Sequence, residues 1–536
     1  MSNRVCTAFA VIITLLLIIT SYGRGEVNEP NHFSEVKLGQ LPRQVYSVTR
    51  SRDNRHVAFV TIKDGKWPVV VVDGNSGSQF DGIAKTLVFS PDGNRTAYAA
   101  QKGKKWYMVF DKKVEAAGCD DITSFIFSPD SKRTAYAAKN GNKWTAIIDS
   151  QAGAEYDNIR EGLLIFSLDS KRIVYIAEKG IKRMVVIDGQ VGAGYDDISS
   201  FIFSPDSKRI AYVGRKATKR QVIVDGLTVW ECNDVRVGSL IFSPDSKHIA
   251  YESRKGIKWQ VVVDGKAGPE YDGILKGSFI FSQNSKRTAY AIKNNYKQMA
   301  VVDNNAGTEY DLIGQGAPAF SPDSRHIVYW AKKNEKWQVV IDGNSIAEYD
   351  GVREDSPVFS SDGGHMAYAV RNGSKWQIIV DGKAGAEYDE IREKSPVFNS
   401  NGTHIVYAAR KGGKWQVVID GKAGPEYDEI QKGIPFFSPD GNRIVYAAKK
   451  DNKWQIVVDD KAGPEYDEIL EYTPVFSPDS KHMAYTAQKN IEWQIVIDDR
   501  PGPKFEVIVC STTSSGEGFE TIVTRNNELC RVFWKP

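Results

Sequence analysis

Pro435-Phe436-Phe437-Ser438-Pro439-Asp440-Gly441-Asn442-Arg443-Ile444-Val445-Tyr446-Ala447-Ala448 carries the reading that decides the fold, together with the residues that follow it to Ile469. Phe436-Phe437 ends a first strand at Ser438-Pro439-Asp440-Gly441, where proline presets φ for a tight turn. Arg443–Ala448, rich in β-branched and aromatic residues, makes a second strand. The break Lys450-Asp451-Asn452 turns the chain into a third, Lys453–Val458. The polar Gly/Pro segment Asp460–Pro464 then leads into a fourth, Glu465–Ile469. Other copies open this last turn with Asp-Gly, as at Asp264-Gly265 and Asp420-Gly421, because glycine tolerates the positive φ that a tight hairpin needs.

The pattern recurs. Its aspartate position is filled by Asp53, Asp92, Asp130, Asp169, Asp206, Asp245, Asn284, Asp323, Asp362, Asn401, Asp440 and Asp479, twelve units spaced 37 to 39 residues apart, and a degraded thirteenth runs from Val509 to Trp534. Four short antiparallel strands repeating every ~40 residues describe the blade of a β-propeller, so the fold class is all-β. Propellers commonly hold ~4–8 blades, which predicts two rings in tandem. The first is expected over residues 26–275, with six blades, and the second over 276–536, with six or seven. Unit seven is the most eroded, with Gln283-Asn284 for Pro-Asp, Gln298 for tryptophan and Asp303-Asn304 for Asp-Gly, so the junction is expected between Gly273 and Gly316.

Phe203-Ser204-Pro205-Asp206-Ser207-Lys208-Arg209, followed by Ile210-Ala211-Tyr212, resembles the WD40-like (PD40) repeat of the TolB-like propellers, and the resemblance covers nearly all of the chain after its first residues. It implies a propeller of the cell envelope that works as a binding scaffold for protein partners.

With 41% hydrophobic and 26% charged residues the composition is that of a packed globular protein. A net charge of +3 lacks the basic excess of a nucleic-acid binder, so no nucleic-acid partner is expected. The start Met-Ser-Asn-Arg, the apolar run Ala8–Ile19 and the small and polar residues Ser21–Gly25 are laid out as a signal peptide over residues 1–25. The expectation is an exported chain, periplasmic or extracellular, with no membrane span once that segment is removed.

Six of the seven histidines, His56, His248, His326, His365, His404 and His482, occupy one slot of the repeat, where other units carry arginine. Residues radiating around a ring do not converge on one metal, so no metal site is assigned to them. The tryptophans at the start of the third strand, such as Trp106, Trp259, Trp415 and Trp454, are read as packing between blades rather than a sugar-binding belt. The Tyr-Asp-Glu carboxylates, Asp389-Glu390, Asp428-Glu429 and Asp467-Glu468, are adjacent on a strand and point to opposite faces, which does not suit two-carboxylate glycoside chemistry. No catalytic residue and no cofactor is assigned. Cys119 and Cys232 replace a fourth-strand tyrosine in units two and five and are expected to be free, whereas Cys510 and Cys530 flank a hairpin of the last unit and are the candidate disulfide.

The loop between strands two and three shares a face of the ring with the link from strand four to the next blade. The loops are basic and the links vary from unit to unit. This face is therefore the expected partner surface, represented by Lys104, Lys105, Arg160, Glu161, Arg215, Lys216, Arg353, Glu354, Arg410, Lys411, Glu471 and Tyr472. The function expected is a non-enzymatic scaffold for a protein partner, with an anionic glycan as a second ligand class. The alternatives are a propeller lyase or glycosidase acting on polysaccharide, and a mainly structural envelope repeat protein.

Overall fold

Each second strand concentrates the most apolar residues of its unit, and each is the buried centre of a sheet. The computed structural model describes residues 33–535 apart from 41, 43, 44, 64–66, 85, 86, 116, 117, 317, 355, 434, 472, 516 and 517. The segment read as a signal peptide lies outside the described residues.

Blade 11 shows the pattern. Glu429–Ile430 and Phe436–Phe437 both pair with Ile444–Lys450, which pairs with Lys453–Val458, which pairs in turn with Lys461–Ala462. Thirteen such antiparallel sheets follow one another, blade 1 starting at Val45 and blade 13 at Val507, and no helix occurs among the described residues. The all-β propeller of four-stranded blades is therefore the fold.

The strand boundaries differ from the expected ones at one point. Tyr466 closes its own blade by bridging to Trp454, while Glu468–Ile469 already pairs with Ala487 and Gln488 of the next blade. The Tyr-Asp-Glu-Ile element is thus a handover rather than a fourth strand. In consequence the variable segments read as links, such as Arg353-Glu354, bulge out of the middle of the first strand in nine of the thirteen blades. These first strands touch their neighbours in adjacent blades, as Phe359 and Phe398 do in their respective strands, and so surround the ring axis.

Blades pack through their faces. The second-strand tyrosine of one blade meets the handover tyrosine of the blade before it edge-on: Tyr427 and Tyr446 lie 5.9 Å apart at 74°, and Tyr466 and Tyr485 5.9 Å apart at 78°. A buried aromatic removes about 150–250 Å² from water, several kcal/mol at ~25 cal/mol per Å². Cys119 and Cys232 take the handover position in blades 2 and 5.

The ring closes with a strand borrowed from the other end of the chain. Phe33–Gln40 pairs antiparallel with Glu528–Trp534, completing blade 13 from Phe33↔Trp534 to Gln40↔Glu528. Blade 13 then packs on blade 1, where Leu38, Ile522 and Leu529 share a cluster with Val57, Phe59 and Val71. Arg55 pairs with Glu520 at 2.8 Å and Arg531 with Asp73 at 3.2 Å across the same seam. The expected division into two rings is not confirmed. Blade 6 packs on blade 7 through Val261, Tyr271, Ile274 and Tyr290, and blade 7 on blade 8 through Ala300, Tyr310, Ile313 and Tyr329. Clusters of this kind join every consecutive pair, so the contacts run as one cycle through the expected junction.

Candidate functional site

On the face carrying the Ser-Pro-Asp turns, the repeat is used up in holding blades together. The Ser90 hydroxyl donates to Asp92 Oδ1, and the Asp92 amide donates to Ser131 Oγ of the next blade at 2.9 Å. Arg95 reaches Asp111 at 2.9 Å, donates to the Ser131 and Lys132 carbonyls and stacks over Phe127, all three in blade 3. Where histidine fills this slot, His248, His326, His365, His404 and His482 each place Nδ1 within 2.6 to 2.7 Å of the aspartate that opens the following Asp-Gly or Asp-Asp turn, and His365 and His482 also meet Phe398 and Trp534 of the next blade. The histidines thus hydrogen-bond a turn of their own blade.

The opposite face carries a second staple that the sequence reading did not find. The aspartate after each handover tyrosine accepts from a lysine of its own blade and from the second-to-third turn of the next. Asp272 takes Lys258 at 2.5 Å and the Asn295 amide at 2.6 Å, and Asp120 takes Lys105 and the Gly141 amide, both at 2.7 Å. These bonds hold the Asp272 and Asp120 carboxyls below the usual carboxylate range, the lysine hydrogen bond being the largest cause. The signal was in the sequence: a lysine opens the third strand and Tyr-Asp follows it fourteen or fifteen residues later.

The residues expected to form a partner surface therefore divide. Lys105 is committed to Asp120. Arg160 donates to the Ile198 carbonyl of the next blade at 3.3 Å, and Arg353 does the same to Ile391 while lying 4.9 Å over Trp376. Arg410 pairs with Glu390 at 2.8 Å and Arg215 donates to the Ala217 carbonyl at 3.1 Å. Lys104, Glu161, Lys216, Glu354, Lys411 and Glu471 are exposed; Tyr472 lies outside the described residues. These exposed residues do not gather at one spot. Lys104, Lys216 and Lys411 ride on the second-to-third turns, whereas Glu161, Glu354 and Glu471 sit on the first-strand bulges around the axis.

The candidate disulfide is not formed. Cys510 pairs with Ile522, and Cys530 with Val523, from opposite sides of the strand Gly518–Arg525. Two strand spacings of ~4.8 Å exceed the ~7 Å that a bridge spans. Cys530 is a free, buried thiol, as are Cys119 and Cys232. Burial pushes the thiols up, Cys119 to about 11 and Cys530 to about 12, away from nucleophilic use.

One cluster breaks the repeat. Glu252 stands in a second strand where other blades carry small or apolar residues, is 3% exposed, and lies 2.7 Å from Arg236 Nε. Arg236 and Arg254 stack on Trp259, and Asp234 joins Arg254 to Arg220 of blade 5. Burial pushes the Glu252 carboxyl up to about 7 against the pull of Arg236. A lone Glu in an Ile-Ala-Tyr-Glu run was the available sign. Among the described residues no three His, Cys, Asp or Glu side chains gather as a metal site would need.

No family model matches the chain, and no curated protein does. Among solved structures it is similar to a eukaryotic initiation factor, at 14% identity over 70% of this chain and 97% of that one, with a TM-score of 0.31. It is also similar to TolB from Acinetobacter baumannii, at 18% identity over 47% of this chain and 77% of that one, TM-score 0.22. A third similar structure is the dihydro-heme d1 dehydrogenase NirN in complex with DHE, at 16% identity over 59% and 77%, TM-score 0.27. A TolB structure thus stands among these neighbours.

Proposed function

We propose that the chain is an exported, non-enzymatic TolB-like binding scaffold of the cell envelope that recognises a protein partner through the first-strand bulges around the ring axis. One observation supports this above the others: many repeated polar side chains are spent on contacts within their own blade or with the next, while the exposed bulge residues differ in chemistry from blade to blade. In blade order the bulges present the exposed residues Glu161, Val237, Lys276, Glu354, Lys432 and Glu471. A surface of this kind gives specificity through charge arrangement. Glu252, the buried carboxylate among the described residues, is held by Arg236 at 2.7 Å rather than facing a paired carboxylate, an arrangement that suits the scaffold better than a two-carboxylate glycosidase.

The test is affinity capture from envelope extract with the full chain and with a Glu161→Lys/Glu354→Lys/Glu471→Lys variant of unchanged circular dichroism. A protein retained by the first and lost from the second supports the reading. Equal retention by both, or hydrolysis of envelope polysaccharide by the purified chain, contradicts it.

A further inference from the structure

The second-to-third turns form the outermost layer of one face, and they carry two features that the fold does not use. In seven hairpins lysine stands directly opposite lysine at the end of the ladder: Lys102 with Lys105, Lys179 with Lys182, Lys216 with Lys219, Lys255 with Lys258, Lys333 with Lys336, Lys411 with Lys414 and Lys450 with Lys453. Like charges placed so are unfavourable. In six of these pairs the second lysine is neutralised by the staple aspartate. Of the first lysines only Lys255 has a carboxylate within 4 Å among the described residues, Glu270 at 3.3 Å. The first lysines are exposed and leave positive charge on the turns, offset at Lys333 and Lys450 by the turn residues Glu335 and Asp451.

The second feature is apolar. At the tips of four of these turns stand Ile181, Ile257, Tyr296 and Ile491, respectively 88, 86, 92 and 87% exposed. Other turns hold Asn142, Thr218, Ser374, Gly413 or Asn452 there, as hairpin chemistry prefers. Ile491 even adopts φ +65°, a conformation that a β-branched side chain resists. Ile181, Ile257 and Tyr296 belong to blades 4, 6 and 7, and Ile491 to blade 12, across the ring from them. Ile257 and Tyr296 stand on consecutive blades, but Ile181 and Ile491 are each separated from them by at least one whole blade, so the four do not form one apolar patch for a protein hot spot, which packs around a desolvated centre. All four point off the same flat face, each beside a turn lysine.

We propose that this turn rim docks on an anionic lipid surface, the lysines meeting headgroups and the Ile and Tyr tips entering the interface. A planar bilayer is the partner that reaches both sides of a ring at once. It also supplies negative charge for the unpaired lysines, each worth ~1 kcal/mol near such a surface, and an apolar layer for the tips. An anionic glycan would satisfy the lysines and leave the tips without a role. The bulges that carry the proposed protein partner are separate residues, so the two readings stand or fall apart.

The test is co-sedimentation of the full chain with vesicles of mixed phosphatidylglycerol and phosphatidylcholine, against vesicles of phosphatidylcholine alone. Heparin binding is measured in parallel, and an Ile181→Asn/Ile257→Asn/Tyr296→Asn variant is compared in each arm. The exposed positions leave the fold unaffected, which circular dichroism checks. Binding to the anionic vesicles only, weakened by salt and falling about tenfold or more in the variant with heparin binding unchanged, is the expected result; tenfold corresponds to ~1.4 kcal/mol. Absence of vesicle binding, or vesicle binding that the variant keeps in full, overturns the proposal, and the second outcome identifies the rim as a polyanion surface.

Discussion

Ile491 at φ +65° is strained by about 1–2 kcal/mol relative to a residue at ease in the left-handed region. Ile491→Asn should therefore raise the stability of the chain by about 1 kcal/mol, read from urea unfolding, because asparagine accepts this conformation. A neutral or destabilising result would show that the isoleucine is held by something other than its turn. Glu252 tests residue-scale electrostatics differently. Its carboxyl is pushed up to about 7 by burial, so its contribution is fully present below the ordinary carboxylate value of ~4.5 and is lost as the pH rises through 7. Glu252→Gln should flatten that decline, gaining about 2 kcal/mol on the wild type between pH 5 and pH 8. An unchanged difference across that range would place the carboxylate in a fully compensated pair. Ile491 could not be singled out from sequence, where it looks like any apolar residue next to a strand; Glu252 broke the repeat visibly, but its ion pair with Arg236, sixteen residues away, did not show.

At the scale of the element, the Ser-x-Asp turn and the Tyr-Asp handover hold their blades with depressed carboxylates. The Ser90 hydroxyl is the largest cause of a value near 2 at Asp92, and the lysine staple the largest at Asp272 and Asp428. Depressed groups stabilise above the ordinary range and lose that contribution as the pH falls through the folded value. Acid unfolding followed by circular dichroism should accordingly begin below pH ~4 and be steep toward pH 2, because the same element recurs around the ring. A chain that unfolds with no such steepening would show that the staples contribute little. The second and third strands of each blade could be read from β-branched runs and turn residues, and the Arg/His slot lies against a turn of its own blade. The handover could not be read. A run such as Glu465–Ile469 has the same composition whether it ends one sheet or begins the next, and only the pairing partner decides.

For the whole molecule, repeat counting reached twelve units and a degraded thirteenth but not their arrangement, because ring size is set by the angle between packed blades, which no single unit encodes. The completing strand Phe33–Gln40 lacks the repeat motif, and its partner is nearly five hundred residues away. Closure makes Gly74 sensitive: it has φ +77°, and a Cβ there would lie 0.8 Å from the Leu38 carbonyl oxygen of that strand. Gly74→Ala should cost about 3 kcal/mol or more and expose the Phe33–Gln40 amides to hydrogen exchange; intact protection would mean that the seam tolerates displacement. Blade 13 packs on blade 1 and blade 6 on blade 7, so the thirteen blades form one cycle. Electron cryo-microscopy of the full chain viewed down the ring axis should show one annulus of thirteen blades around a single opening; two smaller annuli side by side would refute the single cycle.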